Sequence, residues 1–144
     1  MKEIINLNIA KKLRDNEGYT IAATKDKEVI YKSKSKGILP LYLAYENNIK
    51  LDDASVADKV VGKGAAMLMV KLNIKELDTI IISKPALRYL QDNNVVVSYA
   101  RLSDYIANRN KDGKCPVETM AETSLDFDAF ISGVKQFLKR LELI

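Results

Sequence analysis

The apolar positions of this chain fall into two periods. Ile5, Ile9 and Leu13 recur every fourth residue, which predicts a helix over 2–16. Lys11, Lys12 and Arg14 sit near its C-terminal end, where positive charge suits the helix dipole. Asn16-Glu17-Gly18 then stops it. Two short runs, 20–24 and 28–32, read as strands of a hairpin joined by Lys25-Asp26-Lys27. The stretch 37–48, rich in Leu and Tyr, reads as a largely buried helix that tolerates Pro40 in its first turn. Residues 55–72 read as one longer helix, with Ser55 at the N-cap, Asp58 closing a capping box, and Gly62 and Gly64 inside.

The second half alternates more clearly. The β-branched run at 78–83 predicts a central strand buried on both faces. A helix over 84–91 follows, with Pro85 in its first turn. The run 95–99 predicts another buried strand, so the three elements form a parallel, right-handed βαβ unit. A polar connection over 101–114 contains the turn signal Asp112-Gly113. Cys115 then stands at the N-cap of a helix with Pro116 first and Glu118 third. From the N-cap Asp126, the residues Phe127, Phe130, Ile131, Val134, Phe137, Leu138 and Leu141 mark a final amphipathic helix. This order predicts an α/β fold, a three-layer α/β/α sandwich around a mixed sheet.

Composition narrows the picture. At 144 residues the chain is expected to form one domain, 1–144, with a substantial core. No apolar run approaches the ~20 residues needed to cross a membrane. The first residues have no apolar core of a signal peptide, and one cysteine excludes an intrachain disulfide. A reducing cytoplasm is the expected setting. The net charge of +4 arises entirely in residues 1–36, which carry nine Lys/Arg and five Asp/Glu. Lys25, Lys27, Lys32, Lys34 and Lys36 read as a solvated strand edge that discourages edge-to-edge pairing. Only Tyr31 interleaves with them, which argues against a nucleic-acid stacking platform.

Candidate chemistry gathers at three places. Lys59 and Lys63 would lie one turn apart near a helix N-terminus, beside the smooth surface of Gly62, Gly64, Ala65 and Ala66. That arrangement fits an anion site, and fits equally tight helix–sheet packing with two solvated lysines. Ser83, Lys84 and Tyr99 would lie at the carboxyl ends of parallel strands, where α/β sheets bind ligands. Cys115 would feel a positive helix end with Arg109, Lys111 and Lys114 near in sequence, conditions under which a thiol becomes nucleophilic. A single cysteine is also often a small buried hydrophobe, and both readings stay open.

The element order resembles the cytidine-deaminase-like fold. More closely, the residues 58–66, 79–83, Asn108-Arg109 and Cys115-Pro116-Val117-Glu118 resemble the prokaryotic domain of unknown function 1893 family across most of the chain. The resemblance implies the fold and no known activity. True deaminases hold zinc through His or Cys beside a catalytic Glu on one helix and a Cys-x-x-Cys pair on the next. This chain has no histidine and a single cysteine, and Gly62-Lys63-Gly64 and Ser83-Lys84-Pro85 stand at those places. No metal or cofactor is therefore expected. The expected function is binding of a small anionic ligand, nucleotide-like or sugar-phosphate-like, through Asp58, Lys59, Gly62, Lys63, Ser83, Lys84, Asn108 and Arg109. Alternatives are an enzyme with Cys115 as nucleophile and Glu118 as acid/base partner, and a non-catalytic interaction or nucleic-acid-binding module. A homodimer through an exposed sheet face is a further expectation.

Overall fold

The structure, a computed structural model, describes residues 2–107 and 113–144. Five strands form one mixed sheet in the order β2-β1-β3-β4-β5. Their ranges are β1 Ile21–Lys25, β2 Glu28–Ser33, β3 Ser55–Val61, β4 Glu76–Ser83 and β5 Val96–Ser103. β1 runs antiparallel to β2 and β3, whereas β3, β4 and β5 are parallel. The helices are α1 Lys2–Glu17, α2 Leu39–Glu46, α3 Lys63–Lys71, α4 Lys84–Asp92, α5 Pro116–Thr123 and α6 Phe127–Arg140.

The sheet is covered on both faces, by different means. α1 lies on one face, where Ala10 and Leu13 pack on Ala22 and Ala57. Small residues on both elements allow that close approach. The main core on the opposite face joins Leu41 of α2, Leu68 and Met69 of α3, Leu90 of α4, Val117 of α5 and Phe130 of α6. Phe130, Leu68 and Met69 are fully buried. The final helix, the hairpin and the Pro-opened helices lie where the hydrophobic pattern puts them. α1 also forms as expected, but of Ile5, Ile9 and Leu13 only Leu13 is buried, Ile5 being 40% exposed.

One expected element is replaced by two. Residues 55–72 are not a single helix: Ser55–Val61 is the middle strand of the sheet, and α3 begins at Lys63. The apolar pattern runs on because Gly62 alone separates strand from helix, so no polar loop interrupts it. Ser55 accordingly caps nothing; its hydroxyl donates to Glu76 Oε2 across the parallel pair at 2.6 Å. The β-branched Val56, Val60 and Val61 suit a strand. With this correction, β3-α3-β4-α4-β5 forms two consecutive parallel crossovers.

The two buried strands also need revision. β5 pairs only with β4, so it is a sheet edge, and Val96 and Tyr99 are 68% and 43% exposed. β4 buries Leu77 and Ile82 but leaves Ile80 exposed. A β-branched run looks the same in a central strand and at an edge, because pairing partners are not written in it.

The alternation of faces slips midway along β3 and β4. Ala57 packs beneath α1, while Val61, four residues on, lies in the opposite core. Leu77 and Ile82, five apart, share that core. Strict alternation forbids both, so each strand carries a bulge-like irregularity. The paired residues skip Lys59 and Ile80 at this level. Arg14 of α1 is buried here, 5% exposed. Its Nη1 donates to the carbonyl oxygens of Asp58 (3.1 Å) and Asp78 (3.0 Å) and pairs with Asp78 Oδ1 at 2.8 Å. Ser98 of β5 donates to Asp78 Oδ2 at 2.6 Å, extending the network across three strands and a helix.

Asp58 lies inside this slip. Its side chain is half-buried, and desolvation pushes the carboxyl up to about 7, against the opposing pull of the Lys59 and Val60 backbone N–H groups and of Arg14. The folded chain therefore holds a proton that the unfolded chain releases near the ordinary 3.8. Stability contributed by the protonated form is present at low pH and is lost as pH rises from about 4 to about 7. Asp58→Asn keeps an acceptor for the two N–H groups and removes the charge. It should stabilise the fold by about 2–4 kcal/mol at pH 8 and by much less at pH 5, read by urea unfolding at both values. A gain that is the same at both pH values would contradict this assignment.

Candidate functional site

β3 and β4 run directly into helices at their carboxyl ends, and the two helices solve their N-termini differently. α4 caps itself: Ser83 Oγ accepts from Ala86 N at 3.3 Å. α3 cannot do so, because its N-cap is Gly62. Its cap comes from Glu118 of α5, a residue 2% exposed. Glu118 Oε1 accepts from Lys63 N at 3.4 Å and Oε2 from Ile106 N at 2.5 Å. A distant carboxylate thus occupies the positive end of α3.

The glycines of α3 serve this docking. A Cβ on Gly62 would stand 3.2 Å from Ile106 Cγ1 and 3.5 Å from Glu118. On Gly64 it would stand 2.6 Å from Val117 Cγ1 and 3.0 Å from Phe130 Cζ. The close neighbour that these glycines call for is therefore α5 and α6. Of the two readings open in the sequence, tight packing accounts for both glycines.

A cleft of about 420 Å³ opens at the starts of α3 and α4 and extends along α4 to its last residue, lined by Lys63, Lys84, Pro85, Arg88, Tyr89, Asp92 and Asp104. Lys84 and Arg88 are one turn apart on α4, and Lys63 enters from α3. Lys84 Nζ pairs with Asp104 Oδ1 at 2.8 Å, both side chains being largely exposed. That hydrogen bond holds the Asp104 carboxyl below its ordinary value. Neither Lys63 nor Arg88 forms an ion pair among the described residues. A depression of similar size sits at the far end of α3, between Asn48, Lys50 and Asn73, away from these strand ends.

Of the residues expected at a site, the structure brings Lys63 and Lys84 together. Asp58 and Lys59 belong to β3 and do not line the cleft, so Lys59 and Lys63 share no helical face. Gly62 and Ser83 shape the two helix starts. Tyr99 lies on the edge strand. Asn108 and Arg109 fall outside the described residues. Cys115 is the N-cap of α5, half-buried against the main core. Glu118 makes its hydrogen bonds, among the described residues, to backbone N–H groups rather than to the Cys115 thiol. Arg88, Tyr89, Asp92 and Asp104 were missed. The four-residue spacing of Lys84, Arg88 and Asp92 on a Pro-opened helix is the signal that would have found the first and third.

A zinc centre of the deaminase kind does not fit these residues. The chain has no histidine and one cysteine. Among the described residues no three His, Cys, Asp or Glu side chains come together as ligands. The start of α3 is filled instead by the Glu118 carboxylate. No helix among the described residues is long and apolar enough to cross a membrane.

A mixed five-stranded α/β sandwich with a cationic cleft at its parallel strand ends is the class of protein that fold and site define. The sequence matches the TM1506 family, a domain of unknown function (DUF1893), over residues 8–138, and the chain belongs to that family. The crystal structure of a DUF1893 family protein (TM1506) from Thermotoga maritima superposes with a TM-score of 0.81 at 25% identity, covering 91% of this chain and 88% of that one. A diaminohydroxyphosphoribosylaminopyrimidine deaminase/5-amino-6-(5-phosphoribosylamino)uracil reductase from the same organism gives a TM-score of 0.44 at 14% identity, over 69% of this chain and 36% of that one. No curated protein matches the sequence.

Proposed function

We propose that this protein is a metal-free branch of the cytidine-deaminase-like superfamily that binds a small anionic ligand, nucleotide-like or sugar-phosphate-like. The observation that carries the reading is the cleft that Lys63, Lys84 and Arg88 line together, opening at the carboxyl ends of β3 and β4 and running along α4. In open α/β sheets this is the end at which ligands bind. Three cations on two helices can hold one anion by charge-assisted hydrogen bonds, with Arg88 offering a fork and the lysines point charges. Tyr89 and Pro85 supply an apolar wall for the remainder of the ligand. The superfamily assignment rests on the helix–strand order around β3-α3-β4-α4-β5 and on the positions at which zinc ligands are replaced.

Titration calorimetry with ribose 5-phosphate at low ionic strength tests the reading. Lys63→Ala and Arg88→Ala should each weaken binding about tenfold, the scale of one hydrogen bond to a charged group. Absence of binding by ribose 5-phosphate, adenosine monophosphate and inorganic phosphate at millimolar concentration would refute it.

A further inference from the structure

The two edges of the sheet are not alike. β2 carries Glu28 and Lys32, and its register with β1 breaks between Ala23 and Thr24. Lys32 and Lys34 fold over the ring of Tyr19, each 4.9 Å from its centre. Charge and irregularity of this kind keep an edge from adding strands. β5, at the opposite edge, lacks the lysines. It is eight residues long, contains no glycine or proline, and carries Arg101 as its single charge. Six of its eight residues are exposed, among them Val96, Tyr99 and Leu102. The Val96 N–H turns inward to the Lys75 carbonyl oxygen, so alternation turns the N–H groups of Val97 and Tyr99 outward. Among the described residues no strand pairs with that outer side. We infer that the occupant of this edge is β5 of a second copy of the chain, paired antiparallel across a two-fold axis into one continuous sheet. This inference is independent of the cleft and its ligand.

The strand is complementary to itself in one register. Val97 packs on the main core, and Leu102 lies across from Ile82, a residue of that core, so both side chains turn to the same side of the sheet. They can do so although five residues apart, because the slip in β3 and β4 continues into β5, whose pairing with β4 skips Ala100. A two-fold axis between Tyr99 and Ala100 sets Val97 of each copy opposite Leu102 of the other, and Ser98 opposite Arg101. Apolar side chains then meet on the core side, and the single charge meets a hydroxyl rather than a second arginine. A foreign strand would gain the same backbone hydrogen bonds without this side-chain match. The axis also closes the assembly. Both β5 edges are used, only the lysine-bearing β2 edges remain outside, and growth stops at two copies. A pair of strands of this length buries less than the ~800 Å² per partner of a standard interface, which points to a dimer of micromolar strength.

Sedimentation velocity of the intact chain across micromolar concentrations should show a reversible monomer–dimer equilibrium. Tyr99→Pro removes an outward N–H while leaving the ladder to β4, and should weaken the dimer at least about a hundredfold. Leu102→Lys sets a charge against Val97 and should weaken it about tenfold. Ser98→Lys brings like charges opposite each other at two symmetric places and should also weaken it about tenfold. Adding Arg101→Glu to Ser98→Lys should restore the dimer, a rescue that damage to the fold alone does not produce. Circular dichroism checks that each variant is folded. A chain that stays monomeric at every concentration overturns the inference, whatever other strand the edge then accepts. A dimer that Tyr99→Pro and Leu102→Lys both leave intact overturns it as well, since its contacts then lie elsewhere. Loss of the dimer in Ser98→Lys without rescue by Arg101→Glu refutes the register.

Discussion

Arg14→Met should lower the unfolding free energy by about 3–5 kcal/mol at pH 7, the range for removing one partner of a buried ion pair. The guanidinium is nearly inaccessible and serves five acceptor oxygens: both carboxylate oxygens of the neighbouring Asp15, Asp78 Oδ1, and the carbonyl oxygens of Asp58 and Asp78. Methionine fills much of the volume and supplies no donor. Two strand carbonyls and a carboxylate would then face an apolar side chain at the level where β3 and β4 skip a pair. Arg14→Lys should recover only part of the loss, since one ammonium on a flexible stem cannot reproduce the fixed fork. Equilibrium urea unfolding of the three proteins measures this. A loss below about 1 kcal/mol for Arg14→Met would show that the network contributes little.

Glu118→Ala should cost about 2–4 kcal/mol, because it leaves the Lys63 and Ile106 N–H groups without their acceptor in a buried setting. Glu118→Gln should be intermediate: it retains one carbonyl oxygen but turns an NH₂ group toward a backbone donor. Amide hydrogen exchange separates this from a general loss of stability. Protection at Lys63 and Ile106 should fall more than at residues in β1 or α6. Uniform loss across the chain would mean that Glu118 acts through core packing alone. If α3 depends on this carboxylate, Glu118 has a full-time structural duty, and an acid/base role would leave the helix start without its cap.

Much of the architecture was legible from hydrophobic period and punctuation. The helix at 2–16, the hairpin, both Pro-opened helices flanking β5 and the final amphipathic helix all carry strong local signals. The error at 55–72 has a physical cause. A strand that feeds a helix through one glycine leaves no polar break, and alternation over seven residues is readily absorbed into a longer helical pattern. Correcting it moves Asp58 and Lys59 away from any helix surface and places Lys63 alone at the start of α3. Arg14 was readable only as a charge suited to a helix end, because its acceptors on β3 and β4 lie more than forty residues away in sequence. Asp104 was equally hidden. Its partner depends on β5 lying beside β4, a fact of sheet order that no local pattern contains.

The one-residue junction at Gly62, and the junction at Ser83–Lys84 that has no intervening residue, bear on how this chain can change length. A residue inserted at either place would rotate the following helix by about 100° about its axis. Leu68 and Met69, or Leu90, would leave the core, and Lys63 or Lys84 would turn away from the cleft. The hairpin turn at Asp26-Lys27 feeds a strand rather than a core helix, and its tie to α1 is a side-chain contact, Lys27 N donating to Asn6 Oδ1 at 2.7 Å. Insertions, reporter peptides and cross-linking handles therefore belong at the hairpin, on the far edge of the sheet, while the two strand-to-helix junctions must keep their length.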